Sequence, residues 1–107
     1  MAVTVYIAGP MTDLPEFNFP AFNRAAAKLR SEGFDVTNPA ELHSHTDRSW
    51  EFYMRSALRA MLDCEQIYML VGWSDSRGAC MELDIARKLG LTVKYECDTT
   101  VYEHKRY

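Results

Sequence analysis

The segment from Trp73 to Leu83, WSDSRGACMEL, concentrates the side chains of this chain best suited to chemistry. A loop running into a helix leaves free amide groups and the positive end of a helix dipole, a natural seat for phosphate or ribose oxygens. Ser74 and Ser76 add hydroxyls, and Arg77 can pair with a phosphate through two parallel hydrogen bonds. Trp73 reads either as a stacking platform for a base or as a core or interface aromatic. Arg77 reads equally as a solvated surface charge. Glu82 follows one turn beyond Gly78 and Ala79, which leave space above it. A carboxylate there either meets a ligand or simply complements the helix dipole.

A second candidate is Ala8-Gly9-Pro10-Met11-Thr12, at the end of the first apolar run. Gly9 would let a ligand approach the backbone and Pro10 would stiffen the turn, although a plain strand-to-helix turn explains both. Neither the GxGxxG nor the Walker pattern is present, so dinucleotide binding and NTP hydrolysis lack support. His43 and His45 stand two apart in a polar loop with Glu41 and Asp47, a poor ligand spacing, and no metal is expected. Asp63 reads as a helix-end residue or a sugar-binding carboxylate. Cys64, Cys80 and Cys97 are odd in number without CxxC spacing, which argues against disulfides and zinc and fits a reducing cytoplasm.

These residues need a frame, and the chain supplies alternating strand and helix patterns. Val3 to Ala8 is β-branched and nearly all apolar, as in a strand buried on both faces. Asn18 can cap a helix in which Phe19, Phe22, Ala26 and Leu29 recur at three- and four-residue steps, ending at Gly33. Phe34 to Thr37 is a second strand, stopped by Asn38-Pro39. Trp50, Met54, Ala57, Leu58 and Met61 make one stripe of a longer helix that faces the core. Its other large apolar residues, Phe52, Tyr53 and Met69 in the next strand among them, read as packing. Ile67 to Val71, a helix over Ala79 to Leu89 closed by Gly90, and Leu91 to Tyr95 complete the series. The tail after Tyr95 reads as a fifth strand, an interface arm or disorder.

Such alternation requires right-handed crossovers and a mainly parallel sheet of four to five strands, in a three-layer α/β/α Rossmann-like fold of flavodoxin-like order. Ligands then sit beyond the carboxyl ends of the strands, among the loops 9–17, 38–49 and 72–78. With 107 residues, the chain makes one domain spanning 1–107, small enough that a bulky ligand would outrun its walls. A formal charge of −3 excludes a global attraction to nucleic acid or anionic membrane, so an anionic ligand needs local positive charge. No apolar stretch is long enough to span a bilayer, and no secretion signal opens the chain.

Three stretches together, VYIAGPMT, FNFPAFNRAAAKLRSEGFDVTNPAE and IYMLVGWSDSRGACMELDIARKLG, resemble the nucleoside 2-deoxyribosyltransferase-like superfamily. In its enzymes the glutamate of the "MEL" step attacks the anomeric carbon of a deoxynucleoside; Glu82 occupies that place, and Tyr6 sits where an aromatic often neighbours the nucleophile. The compact form of these motifs looks most like a small family common in phages, which includes the Thoeris anti-defence sponges. That resemblance implies homotetramers that sequester cyclic ADP-ribose isomers, and in some cases cyclic dinucleotides, without cleaving them. Transferases usually carry further acidic residues in the long helix, where this chain has Arg55 and Arg59, a charge better suited to phosphate.

The expectation is therefore a cytoplasmic sponge for a cyclic nucleotide signal, needing no cofactor, acting as a tetramer and binding neither polymeric nucleic acid nor membrane. The alternative is a deoxyribosyltransferase or nucleotide N-glycosidase with Glu82 as nucleophile. The expected contacts are Ala8, Gly9, Pro10 and Met11 through backbone approach, and Trp73 by stacking. Ser74, Ser76, Arg77 and Gly78 would serve phosphate and ribose, with Glu82 accepting from ribose hydroxyls. Phe17, Phe19 and Asn38 would be pocket walls.

Overall fold

In a computed structural model describing residues 2–42 and 49–97, strand β1 (Thr4–Ala8) lies at the centre of a four-stranded parallel sheet. Helix α1 (Phe19–Ser31) leads to β2 (Asp35–Thr37), and α2 (Trp50–Leu62) leads to β3 (Gln66–Met69). Helix α3 (Arg77–Lys88) precedes β4 (Thr92–Tyr95), and the strand order is β2-β1-β3-β4. This is a Rossmann-like α/β fold, with four strands among the described residues; the tail from residue 98 and the pair His43 and His45 lie outside them.

The order of the strands dictates which helix covers which face. The first crossover moves one way along the sheet and the next two move the other way, so right-handedness puts α1 on one face and α2 with α3 on the other. Side chains of β1 alternate accordingly. Val5 and Ile7 pack with Phe22, Ala26, Leu29 and Val36 under α1. Tyr6 and Ala8 point the opposite way, among Met61, Ile67, Ala79 and Leu83. A polar phenol thus enters the α2–α3 side of the core because strand side chains alternate with period two.

Element ends follow from local chemistry, with some departures from the sequence expectation. Gly33 and Gly90, at φ 97° and 82°, supply the left-handed residues that end α1 and α3. Asn18 does sit at the start of α1, but at φ 62° its side chain caps nothing and its amide donates instead to the Pro10 carbonyl at 2.9 Å. Helix α3 starts at Arg77, two residues earlier than expected, because the Ser76 hydroxyl accepts from the Ala79 amide at 3.1 Å and caps it. Strand β3 begins one residue early at Gln66 and stops at Met69, short of Val71. Among the described residues, no helix is long and apolar enough to cross a membrane.

Candidate functional site

Strand order reverses between β1 and β3, and a cavity of about 510 Å³ opens beyond the carboxyl end of β1. Its floor is Tyr6, Ile7 and Ala8 of β1 with Gly9 just beyond; its walls come from the β1–α1 loop, from α2 and from the start of α3. The size falls within the range usual for small-ligand pockets. The lining is mostly apolar and aromatic: Met11, Phe17, Phe19 and Phe22 on one side, Trp50, Tyr53, Met54 and Ala57 on the other.

At the bottom, Tyr6 donates its hydroxyl proton to Glu82 Oε2 at 2.6 Å. Glu82 is 5% exposed and Tyr6 1%. Burial pushes the Glu82 carboxyl up to about 7, and the Tyr6 hydrogen bond offsets part of that rise. Burial, and then the neighbouring carboxylate, hold the Tyr6 hydroxyl well above its ordinary range, so it stays protonated and donates. Among the described residues Glu82 has no second hydrogen-bond partner, although it lines the cavity. A buried carboxyl oxygen without a donor is costly, and a ligand hydroxyl or amine arriving there would satisfy it. Near neutral pH this carboxyl can accept a hydrogen bond in one form and donate one in the other.

Of the residues singled out from sequence, Ala8, Gly9, Met11, Phe17, Phe19, Ser76, Gly78 and Glu82 come together around the cavity. Their roles differ from expectation in places. A Cβ on Gly9 would meet Leu70 side-chain atoms at 2.8 Å, so glycine there admits β3's neighbour rather than a ligand. Ser76 has its hydroxyl engaged as the α3 cap.

Five others lie outside the lining. Pro10 packs toward Gly72 and offers its carbonyl to Asn18. Asn38 is 1% exposed; its amide donates to Asn23 Oδ1 at 2.9 Å and its oxygen accepts from the Ala40 amide at 3.1 Å. It shapes the turn that puts Pro39 into the cavity wall. Trp73 is half-buried outside the lining, its ring 6.1 Å from that of Tyr95. Ser74 is exposed, and its carbonyl faces the Cys80 thiol at 3.5 Å. Arg77 is exposed at the helix start, its guanidinium 3.6 Å from the centroid of the Trp50 ring. Arg55 and Arg59 point outward from α2 and line no part of the cavity.

Trp50, Tyr53, Met54 and Ala57 also wall the cavity, a role their spacing in the sequence does not announce. They stand on the apolar stripe of α2, and apolar periodicity says which face is inward, not whether it meets core or hollow. Asp13 joins the lining as well, with a left-handed φ of 65°. No group of three or more metal-ligating side chains gathers among the described residues.

The fold and this cavity define a Rossmann-like α/β protein with a cavity at the carboxyl end of its sheet, built around one buried carboxyl–phenol pair. The chain belongs to the DUF4406 family, described as a domain of unknown function, whose profile matches residues 3–95. A search of curated proteins finds no match.

Proposed function

We propose that this protein binds a nucleotide-type signal in the β1–α2–α3 cavity and holds it intact, as a sponge for cyclic nucleotides such as cyclic ADP-ribose isomers. The observation that carries the reading is the buried Glu82–Tyr6 pair at the floor of an aromatic-walled cavity. Aromatic walls suit a base, and an unsatisfied carboxyl oxygen suits a ribose hydroxyl. Arg77 stands beside the Trp50 wall, where a phosphate leaving the mouth would meet it. A sponge acts by mass action and needs tight binding without turnover. The resemblance to anti-defence sponges adds a tetramer, in which neighbouring copies complete the mouth, and a host-cytoplasmic site of action.

A second reading has one observation in its favour. A carboxylate at the floor could attack the anomeric carbon, forming an ester as the N-glycosidic bond breaks and its electron pair leaves with the base. A carboxyl raised to about 7 and bonded to Tyr6 is still about half ionised at neutral pH, so turnover and not protonation state decides between the two readings.

Incubation with cyclic ADP-ribose isomers, removal of free ligand, heat denaturation and chromatography of the supernatant separate the two. Release of intact ligand supports the sponge. Free base or a transferred sugar, lost in Glu82→Gln, would replace it with the enzyme.

A further inference from the structure

The charge lining the cavity has one sign. Among the described residues it holds two carboxyl groups, Glu82 and Asp13, and no lysine, arginine or histidine. Asp13 makes no ion pair among the described residues. Glu82 is 5% exposed and has Tyr6 as its one partner, which leaves an oxygen free inside the cavity. Six aromatic rings, Tyr6, Phe17, Phe19, Phe22, Trp50 and Tyr53, share the lining. One of them already holds a cation, since the Arg77 guanidinium stacks on Trp50 at 3.6 Å without itself entering the lining.

Resting on the nucleotide-binding reading above, we infer that the cavity takes a positively charged heteroaromatic ring, an N-ribosylated pyridinium or an adenine substituted at ring N1, and leaves the ligand's phosphates outside toward Arg77. The physics is direct. Ring faces attract a cation through their quadrupole, most strongly where water is excluded. A buried carboxylate is costly alone and is relieved by an opposite charge. A neutral base gains the stacking without the charge term. A phosphate pushed inside would face two carboxyl groups.

Binding of such a cation carries a proton signature. The carboxyl of Glu82 meets Tyr6 from β1 and shares the cavity with Met54 and Ala57 from α2, Gly78 and Ala79 from its own helix, and Asp13. Cys64 stands behind Tyr6. None of these is cationic, so an arriving cation is the first positive neighbour of the Glu82 carboxyl. It favours the ionised form, and binding releases a proton near pH 7.

The test uses two isomers that differ in charge and not in composition. 1-Methyladenosine is protonated at neutral pH, whereas N6-methyladenosine is neutral. Calorimetry of the full chain at pH 7, in two buffers of different ionisation enthalpy, should find 1-methyladenosine bound roughly tenfold more tightly, with proton release. Asp13→Asn should shrink the preference without unfolding the chain. Equal affinities, tighter binding of N6-methyladenosine, or binding of neither isomer would overturn the inference. Retention of an intact cyclic nucleotide after heat release would still stand in each of those cases, so the two readings fail separately.

Discussion

Tyr6 and Glu82 are separated by 76 positions and meet at 2.6 Å in the interior. The contact exists because alternation along β1 sends Tyr6 to the α2–α3 face, and because the second turn of α3 passes over that face. Both groups are withdrawn from water, so each depends on the other for its hydrogen bond.

That dependence has a stability consequence. The Glu82 carboxyl rises from 4.5 to about 7 on folding, so the folded chain holds this proton where the unfolded chain has lost it. The stabilisation is complete below pH 4.5 and is lost as pH rises through about 7. The change amounts to something on the order of 3 kcal/mol. Urea unfolding of Glu82→Gln between pH 4 and 8 should show this slope removed, with the variant gaining on the parent toward pH 8. A parallel pair of profiles would mean the carboxyl is not desolvated.

Removing the phenol acts in the other direction. Tyr6→Phe takes away the donor that lowers the Glu82 carboxyl, so its midpoint should climb further above 7. A buried carboxylate oxygen left without a donor costs about 1–3 kcal/mol, a loss to be read above the variant's raised midpoint, where the carboxyl ionises.

Two glycines should respond oppositely to alanine. At Gly9 the new methyl meets the fully buried Leu70 at 2.8 Å, with no space to yield, and Gly9→Ala should cost about 2 kcal/mol. At Gly78 it meets the Met54 sulfur at 3.0 Å, the pliable part of a thioether side chain. Gly78→Ala should keep stability within about 1 kcal/mol while narrowing the cavity. Thermal unfolding and ligand titration of both variants read these effects apart.

Trp73 and Arg77 should separate in the same manner. Trp73→Ala opens a hole beside Tyr95 and should cost about 3 kcal/mol with little change in ligand affinity per folded molecule. Arg77→Ala leaves the core intact, uncovers the Trp50 ring and should weaken a phosphate-bearing ligand about tenfold. Weaker binding from Trp73→Ala would put the base outside this cavity.

The fold was legible because its signals are local and agree with one another. The apolar run of β1, the glycines ending α1 and α3 and the α2 stripe each name an element, and right-handed crossovers arrange them. The site was legible in part. Glu82, Ser76 and Gly78 belong to one segment and move together into the wall. Trp73 belongs to the same segment, but a short 3₁₀ turn over Trp73–Asp75 turns it toward Tyr95 and out of the cavity. Asn38 satisfies its hydrogen bonds within the chain, which no spacing rule reveals. The loop over 13–18 holds Asp13, Glu16, Phe17 and Asn18 at positive φ, conformations that residue type does not announce.

The most direct measurement is the titration of the Glu82 carboxyl carbon by NMR, with and without a saturating cyclic ADP-ribose isomer. The free protein should titrate near 7. With ligand seated against the carboxyl, its midpoint should fall, because a donor or a cation then favours the ionised form. An unchanged midpoint at full saturation would contradict binding in this cavity.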